Sequence, residues 1–150
     1  MDGIDISLVE TNGFNLRRFN KNYYHQYSVS IKKKLNEILK DEINLNLKRK
    51  QYLDEIITNE HYLALKDLDI VENCDLIGFH GQTIYHSPDN KISIQLGDPK
   101  ILAKKLNRNV IFDFRSNDLR LGGQGAPLAP IYHQFIIEKL NLDLPTCILN

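Results

Sequence analysis

Between Ile4 and Leu8 every second residue is apolar (Ile4, Ile6, Leu8), with Asp5 and Ser7 in the alternate positions. That period of two belongs to a half-buried β-strand and not to a helix. Thr11-Asn12-Gly13 follows, a turn signal that sends the chain back antiparallel. The returning segment, Phe14 to Tyr24, is polar and suits an edge strand. With a hairpin at the start, the rest of the chain decides between an all-β and an α/β fold.

The rest alternates. Ser28 or Ser30 can cap a helix from Ile31 to Lys40, with Ile31, Leu35, Ile38 and Leu39 at helical spacing. Lys32-Lys33-Lys34 then fall on its solvated face. Lys48 to Leu65 reads as a second helix, with Tyr52, Leu53, Ile56, Ile57 and Leu63 on the buried side. Leu76 to Phe79 is a short apolar strand ending at His80, and Ile92 to Leu96 is another. Gly97-Asp98-Pro99 starts a helix through Leu106, with Asp98 as its cap and Pro99 at its first position. Val110 to Phe114 is a third apolar strand. Leu128 to Leu140 is a helix with Pro130 in its first turn, and Cys147 to Leu149 begins another strand. A hairpin followed by alternating strands and helices predicts an α/β fold, a mixed sheet with flanking helices.

The chain of 150 residues is long enough for one domain with a real core. Its formal net charge is zero, so no bulk field draws it to nucleic acid or to an anionic membrane. No apolar run approaches the ~20 residues needed to span a bilayer, and no basic segment followed by an apolar stretch marks a leader. Cys74 and Cys147 share no metal-type spacing and read as buried thiols of a reducing compartment, which points to the cytoplasm.

Candidate site residues gather where apolar strands end. His80 closes one strand, followed at once by Gly81, Gln82 and Thr83. Polar groups just past the carboxyl end of a strand are where open α/β sheets bind ligands. Arg115 and Asp118 follow the strand Val110 to Phe114 in the same way, a guanidinium fork and a carboxylate suited to hydroxyls or an anion. Gly122-Gly123-Gln124-Gly125 precedes a helix and can offer backbone N–H groups to a polar ligand. It lacks the lysine and hydroxyl of a Walker A loop. Asp2 and Asp5 bracket Gly3 at the hairpin and could serve Mg²⁺ or phosphate. His86, beside Ser87-Pro88, reads as a surface loop residue.

Taken together, the segments Gly-Phe-His-Gly-Gln-Thr-Ile-Tyr-His (78–86), Ile-Gln-Leu-Gly-Asp-Pro (94–99), Asp-Phe-Arg-Ser-Asn-Asp (113–118) and Gly-Gly-Gln-Gly-Ala-Pro-Leu-Ala-Pro (122–130) resemble the anhydro-N-acetylmuramic acid kinases. Met1-Asp2-Gly3-Ile4-Asp5 resembles the second half of that family's Gly-Thr-Ser-x-Asp-Gly-x-Asp phosphate-binding hairpin. The resemblance covers essentially all of the chain and a little under half of the family's length. It implies the N-terminal part of an actin-like, hexokinase-like (ribonuclease H-like) two-domain kinase, with residues 1–150 as a single incomplete domain. The implied reaction opens the 1,6-anhydro ring of anhydro-N-acetylmuramic acid and phosphorylates its 6-oxygen with ATP, Mg²⁺ and water, a step in cell-wall recycling. It assigns Asp2, Gly3 and Asp5 to the ATP phosphates. It assigns His80, Gln82, Arg115, Asp118, Gly123 and Gln124 to the sugar side. The implied partners are ATP and the amino sugar, with no nucleic acid or membrane, and the resemblance leaves room for a homodimer of the full-length enzyme.

The same resemblance places the general base, the aspartate of an Asp-Thr-Gly-Pro-Gly-Asn segment, beyond Asn150, and the Gly-Thr-Ser half of the hairpin before Met1. A general base contributes about 10²–10⁴-fold, so negligible kinase activity is expected of these residues alone. A strand expected to lie centrally would be missing, weakening the sheet. The alternatives are a non-catalytic remnant or half of a split kinase completed by a second chain. A hydrolase or sugar-binding site built on His80, Arg115 and Asp118 without nucleotide is the reading from a different class.

Overall fold

The computed structural model describes residues 2–40 and 46–147, in the order β1 (Gly3–Thr11), β2 (Leu16–Gln26), α1 (Val29–Lys40), α2 (Leu47–Lys66), β3 (Leu76–Phe79), β4 (Gln82–Ser87), β5 (Ile92–Leu96), α3 (Pro99–Leu106), β6 (Asn109–Phe112), α4 (Ser116–Arg120) and α5 (Ala129–Leu140). The strand expected from Cys147 to Leu149 runs into residues outside that description. Cys147 itself is exposed and Cys74 half-buried, so neither is the fully buried thiol the sequence suggested.

The opening hairpin forms as its alternation requires. β1 and β2 pair antiparallel, Ile4 opposite His25 and Asp5 opposite Tyr24. Ile4 is buried and Ile6 and Leu8 half-buried, while Asp5 and Ser7 face solvent. Asn12 closes the turn, its Oδ1 accepting from the amides of Phe14 at 3.1 Å and Asn15 at 2.8 Å.

Pairing departs from a single mixed sheet. Among the described residues the strands form three separate ladders, β1–β2 and β4–β5 antiparallel and β3–β6 parallel. β4 was not anticipated, because a bulge hides it. Thr83 pairs with Gln95 and Tyr85 with Ile94, leaving Ile84 as the extra residue. The bulge breaks the alternation in sequence and turns Ile84 into the core, where it is 8% exposed. His86 therefore lies in a strand, half-buried and bonded to Ser93 Oγ at 3.0 Å, and not in a surface loop. Boundaries also moved: β2 runs Leu16–Gln26 where Phe14 to Tyr24 was expected, α1 starts at Val29, and β6 ends early. That last strand stops at Phe112, where Asp113 takes a positive φ of 58°, two residues short of the expected end.

The main core joins the hairpin to the helices and to β4–β5 through Ile4, Ile31, Leu35, Ile57, Ile84 and Leu96. Tyr27 belongs to it, its hydroxyl pushed up to about 12 by burial and then by the Glu60 carboxylate. Of the residues expected on the inner side of α2, Leu53 and Ile57 are buried, Ile56 is half-buried, and Tyr52 and Leu63 are exposed. Tyr52 instead takes a hydrogen bond from Lys34 Nζ at 2.9 Å, joining the outer faces of α1 and α2.

Helix α2 also grips the turn into α3. Thr58, 1% exposed, donates from Oγ1 to the carbonyl of Asp54 at 2.6 Å and accepts from the amide of Asp98 at 2.7 Å. Asp54 Oδ1 accepts from the Gly97 amide at 2.9 Å, and its Oδ2 pairs with Lys50 Nζ at 2.6 Å. Gly97 has φ +116° and lies against the ring of Phe79, so a side chain there would displace the residue that precedes His80. Asp98 caps α3 as expected, accepting from Lys100 N at 2.8 Å and Ile101 N at 3.1 Å.

Replacing Thr58 by valine keeps the shape and removes the hydroxyl, leaving the Asp98 amide without its acceptor. We expect a loss of about 1–3 kcal/mol, read as a lower urea midpoint at unchanged m. A midpoint equal to wild type would show that the turn does not depend on this bond.

Candidate functional site

Three sequence motifs meet at one hydrogen-bonded cluster. His80, at the carboxyl end of β3, and Arg115, just past β6, are neighbours because those strands pair in parallel, Phe79 beside Phe112. Arg115 Nε donates to His80 Nε2 at 2.9 Å, and its Nη1 donates to the carbonyl of Gly125 at 2.7 Å. Asp118, on α4, accepts from the Gly125 amide at 2.7 Å through Oδ2. Gly125 is thus held by its carbonyl and its amide, from two side chains one helical turn apart. Gly123 donates to the carbonyl of Asp118 at 2.8 Å, and a Cβ at Gly123 would collide with the Asp118 carboxylate. Leu119, 1% exposed, packs beneath Gly125.

This wiring fixes the tautomer of His80. Arginine is always a donor, so Nε2 must be the acceptor and Nδ1 must carry the proton. That proton points to the carbonyl of Gly81 at 3.1 Å. Partial burial pushes the imidazole below its ordinary 6.5, with the Arg115 charge acting in the same direction against the bond to Gly81. With both ring nitrogens engaged, His80 orients Arg115. The remaining terminal nitrogen of Arg115 has no partner among the described residues and is the group of this pair available to a ligand anion or hydroxyl.

The other predicted residues separate into two places. Gln82, half-buried at the start of β4, donates to the carbonyl of Thr83 at 3.3 Å. Gln124 is exposed on the loop. Asp2, Gly3 and Asp5 lie on the hairpin. Asp2 is exposed, with Lys32 Nζ at 3.9 Å. Gly3 packs against Tyr24 and the His25 carbonyl with no room for a side chain, and Asp5 is exposed opposite Tyr24. Between hairpin and strand-end cluster stands α2. Its Glu60 pairs with His25 at 3.4 Å, and its His61 stacks edge-on against Phe79 at 4.8 Å. Burial lowers His61 below 6.5 despite its bond to the Ile57 carbonyl, and His25 and His80 both lower it further.

Sequence reasoning missed a polar strip on β4–β5. Gln95 Nε2 donates to Ser93 Oγ at 2.8 Å and to Thr83 Oγ1 at 3.4 Å, while Ser93 also meets His86. The signal was present as alternating Ser93 and Gln95 in the strand that ends at Leu96, but the partner strand was not recognised. The site is open. Surface depressions along α1, by Val29 and Lys33, and beside Asn107 and Arg108 hold no predicted site residue.

Fold and site define an α/β protein with a polar cluster assembled at the ends of a parallel strand pair. The sequence model of anhydro-N-acetylmuramic acid kinase matches residues 1–150, and the chain belongs to that family. Relatives of that name are 39% identical in Pelagibacter ubique, 35% in Nitrobacter winogradskyi and 32% in Bradyrhizobium diazoefficiens, each over 100% of this chain. The chain spans 42%, 44% and 44% of their lengths, as the N-terminal part. No helix among the described residues is long and apolar enough to cross a membrane.

Two measurements test this geometry. Arg115→Ala removes a nearby positive charge, so the His80 titration midpoint followed by NMR should rise toward 6.5. An unchanged midpoint would mean that the guanidinium does not reach the ring. Both depressed histidines also make stability depend on pH. Their folded values lie below the unfolded 6.5, so the unfolded chain takes up these protons first as pH falls. The stability they contribute is complete above pH 6.5 and is lost as pH drops through the folded values. Urea midpoints should fall from about pH 7 to pH 5, and His61→Phe, which keeps a ring against Phe79, should flatten that fall.

Proposed function

We propose that this chain forms the N-terminal portion of an ATP-dependent kinase that opens the ring of 1,6-anhydro-N-acetylmuramic acid and phosphorylates its 6-oxygen. In this reading residues 1–150 are one incomplete domain of an actin-like, two-domain sugar kinase. The observation that carries it is the bonded unit His80–Arg115–Gly125–Asp118, built from three of the four segments that match the family. Its chemistry suits a polyhydroxylated, carboxylate-bearing sugar. Arg115 offers a donor to an anionic or hydroxyl oxygen, held in place by His80 and Gly125. Gln82 and Gln124 add amide groups at the rim. Phosphoryl transfer depends mainly on positioning and charge stabilisation, and a guanidinium fixed by two bonds meets that requirement.

The nucleotide side falls to Asp2, Gly3 and Asp5. Mg²⁺ is commonly held by one or two carboxylates together with substrate phosphates. Two exposed aspartates flanking a close-packed glycine are a donor set of that kind. Mg²⁺ would neutralise phosphate charge there, while Asp2 and Asp5 hold it at the start of β1. The general base is assigned, by resemblance, to the Asp-Thr-Gly-Pro-Gly-Asn segment of the C-terminal portion, so the chemical step requires that portion.

Incubated with ATP, Mg²⁺ and the anhydro sugar, the 150-residue chain should form no detectable phosphosugar. Placed behind the Pelagibacter relative's segment preceding the match and ahead of its C-terminal portion, it should form N-acetylmuramic acid 6-phosphate, and Arg115→Ala in the fusion should lower kcat/KM by about 10²-fold. A folded fusion that binds neither sugar nor nucleotide would favour a non-catalytic remnant. Sugar hydrolysis without ATP would favour the hydrolase reading.

A further inference from the structure

Helix α5 has a composition that its surroundings do not match. Its sequence, APIYHQFIIEKL, places apolar residues around the whole circumference, the pattern of a helix buried on all sides. Yet none of its residues is buried, and Ile131 is 68% exposed. The segments before and after it in the chain are exposed as well, Leu121 by 71% and Leu144 by 78%. From Leu121 to Ile137 there is no Asp, Glu, Lys or Arg, in a chain that is 25% charged. An uncharged, apolar stretch of this length on a free surface is a mark of an interaction site.

The β3–β6 pair gives an independent reason. Parallel strands occur almost only where both faces of the sheet are covered. Here Leu76 and Ile111, which the register puts on one face, each remain about half exposed, and β3 and β6 have no partner but each other among the described residues.

We propose that α5, with the exposed apolar face of β3–β6, is the docking surface for the polypeptide that makes up the C-terminal part of the family's longer chains. The lengths point to this occupant. The relatives match over only 42–44% of their own length, leaving a polypeptide larger than this one to be accommodated. A membrane fits less well. Twelve residues are too few to span one, and a helix apolar all round lacks the cationic polar face of an interfacial helix. The surface is continuous with the candidate site, because the loop that Arg115 and Asp118 hold at Gly125 leads directly into α5. Docking there would cover the open side of the cluster.

The test uses the 150-residue chain and the separately produced C-terminal portion of the Pelagibacter relative, followed by sedimentation. A one-to-one complex is expected, weakened about 30-fold or more by Ile131→Glu or Leu128→Glu, as for residues at the centre of an interface. Val29→Glu, at an exposed apolar position on α1, should leave it unchanged. Absence of association overturns the proposal, as does a self-association of the chain that the same variants abolish, which would make the occupant a second copy. In a single-chain fusion of the two portions, Ile131→Cys should react with a thiol reagent at least tenfold more slowly than in the 150-residue chain. Equal rates would overturn the proposal even where the separate portion is insoluble. Neither readout needs catalysis, so a complex that forms without kinase activity would sink the proposed function and leave this surface standing.

Discussion

The turn at Gly97 and Asp98 is where the helical half of the fold takes hold of the site half, and Thr58 makes that hold specific. The core beneath it, Ile57, Leu96 and Phe79, is apolar and would tolerate some sliding. The bonds from Thr58 and Asp54 would not, because each has one acceptor and one backbone amide to match. Fixing Gly97 fixes the ring of Phe79 against it. Phe79 is the last residue of β3, so His80 inherits that position. The parallel pairing with β6 then delivers Arg115 to the same point. A chain of short contacts thereby joins a buried hydroxyl on a helix to a guanidinium several elements away.

His80 changes meaning in this setting. At a strand end, before glutamine and threonine, a histidine reads as a group that touches ligand. Its two ring nitrogens are occupied by Arg115 and by the Gly81 carbonyl, which leaves it no lone pair and no proton to offer. The depressed basicity is consistent with this use. A protonated imidazole would turn Nε2 into a donor facing another donor, so holding the ring neutral preserves the bond that aims Arg115. On the proposed reading the ligand-facing function passes to the arginine, and the histidine acts through it.

Much of the architecture was legible because it rests on short-range rules. The alternation from Ile4 to Leu8, the asparagine turn, the Asp98 cap with Pro99 behind it, and the strands ending at His80 and Leu96 all follow from local periodicity and capping. The grouping of His80, Arg115, Asp118 and the glycine loop was legible as candidates, from their placement after strands. What sequence could not supply were the pairings. β4 was concealed by the bulge at Ile84, and α4, five residues long, is too short to show a helical period. The bond from Thr58 to Asp98 spans forty residues of sequence and has no local signature. The same holds for the separation of the sheet into three ladders, which depends on which edges meet.

The two halves of the surface follow from one division of labour. On the side toward α2 and β4–β5 the polar cluster is backed by a core, and Arg115 Nε and Nη1 are bonded within it. On the side toward α5 the chain presents uncharged apolar residues that gain nothing from water. A site built to orient a charged fork needs the rigid backing at all times, since a misdirected guanidinium loses the advantage of preorganisation. It needs cover only when a substrate is to be shielded from solvent, and desolvation strengthens every interaction within such a site. Rigid support from within and apolar cover from elsewhere is therefore the arrangement expected of a module that binds its ligand at a boundary. On the proposed docking, the function of this chain lies in what it positions, and the closing of the site lies with the polypeptide that would cover α5.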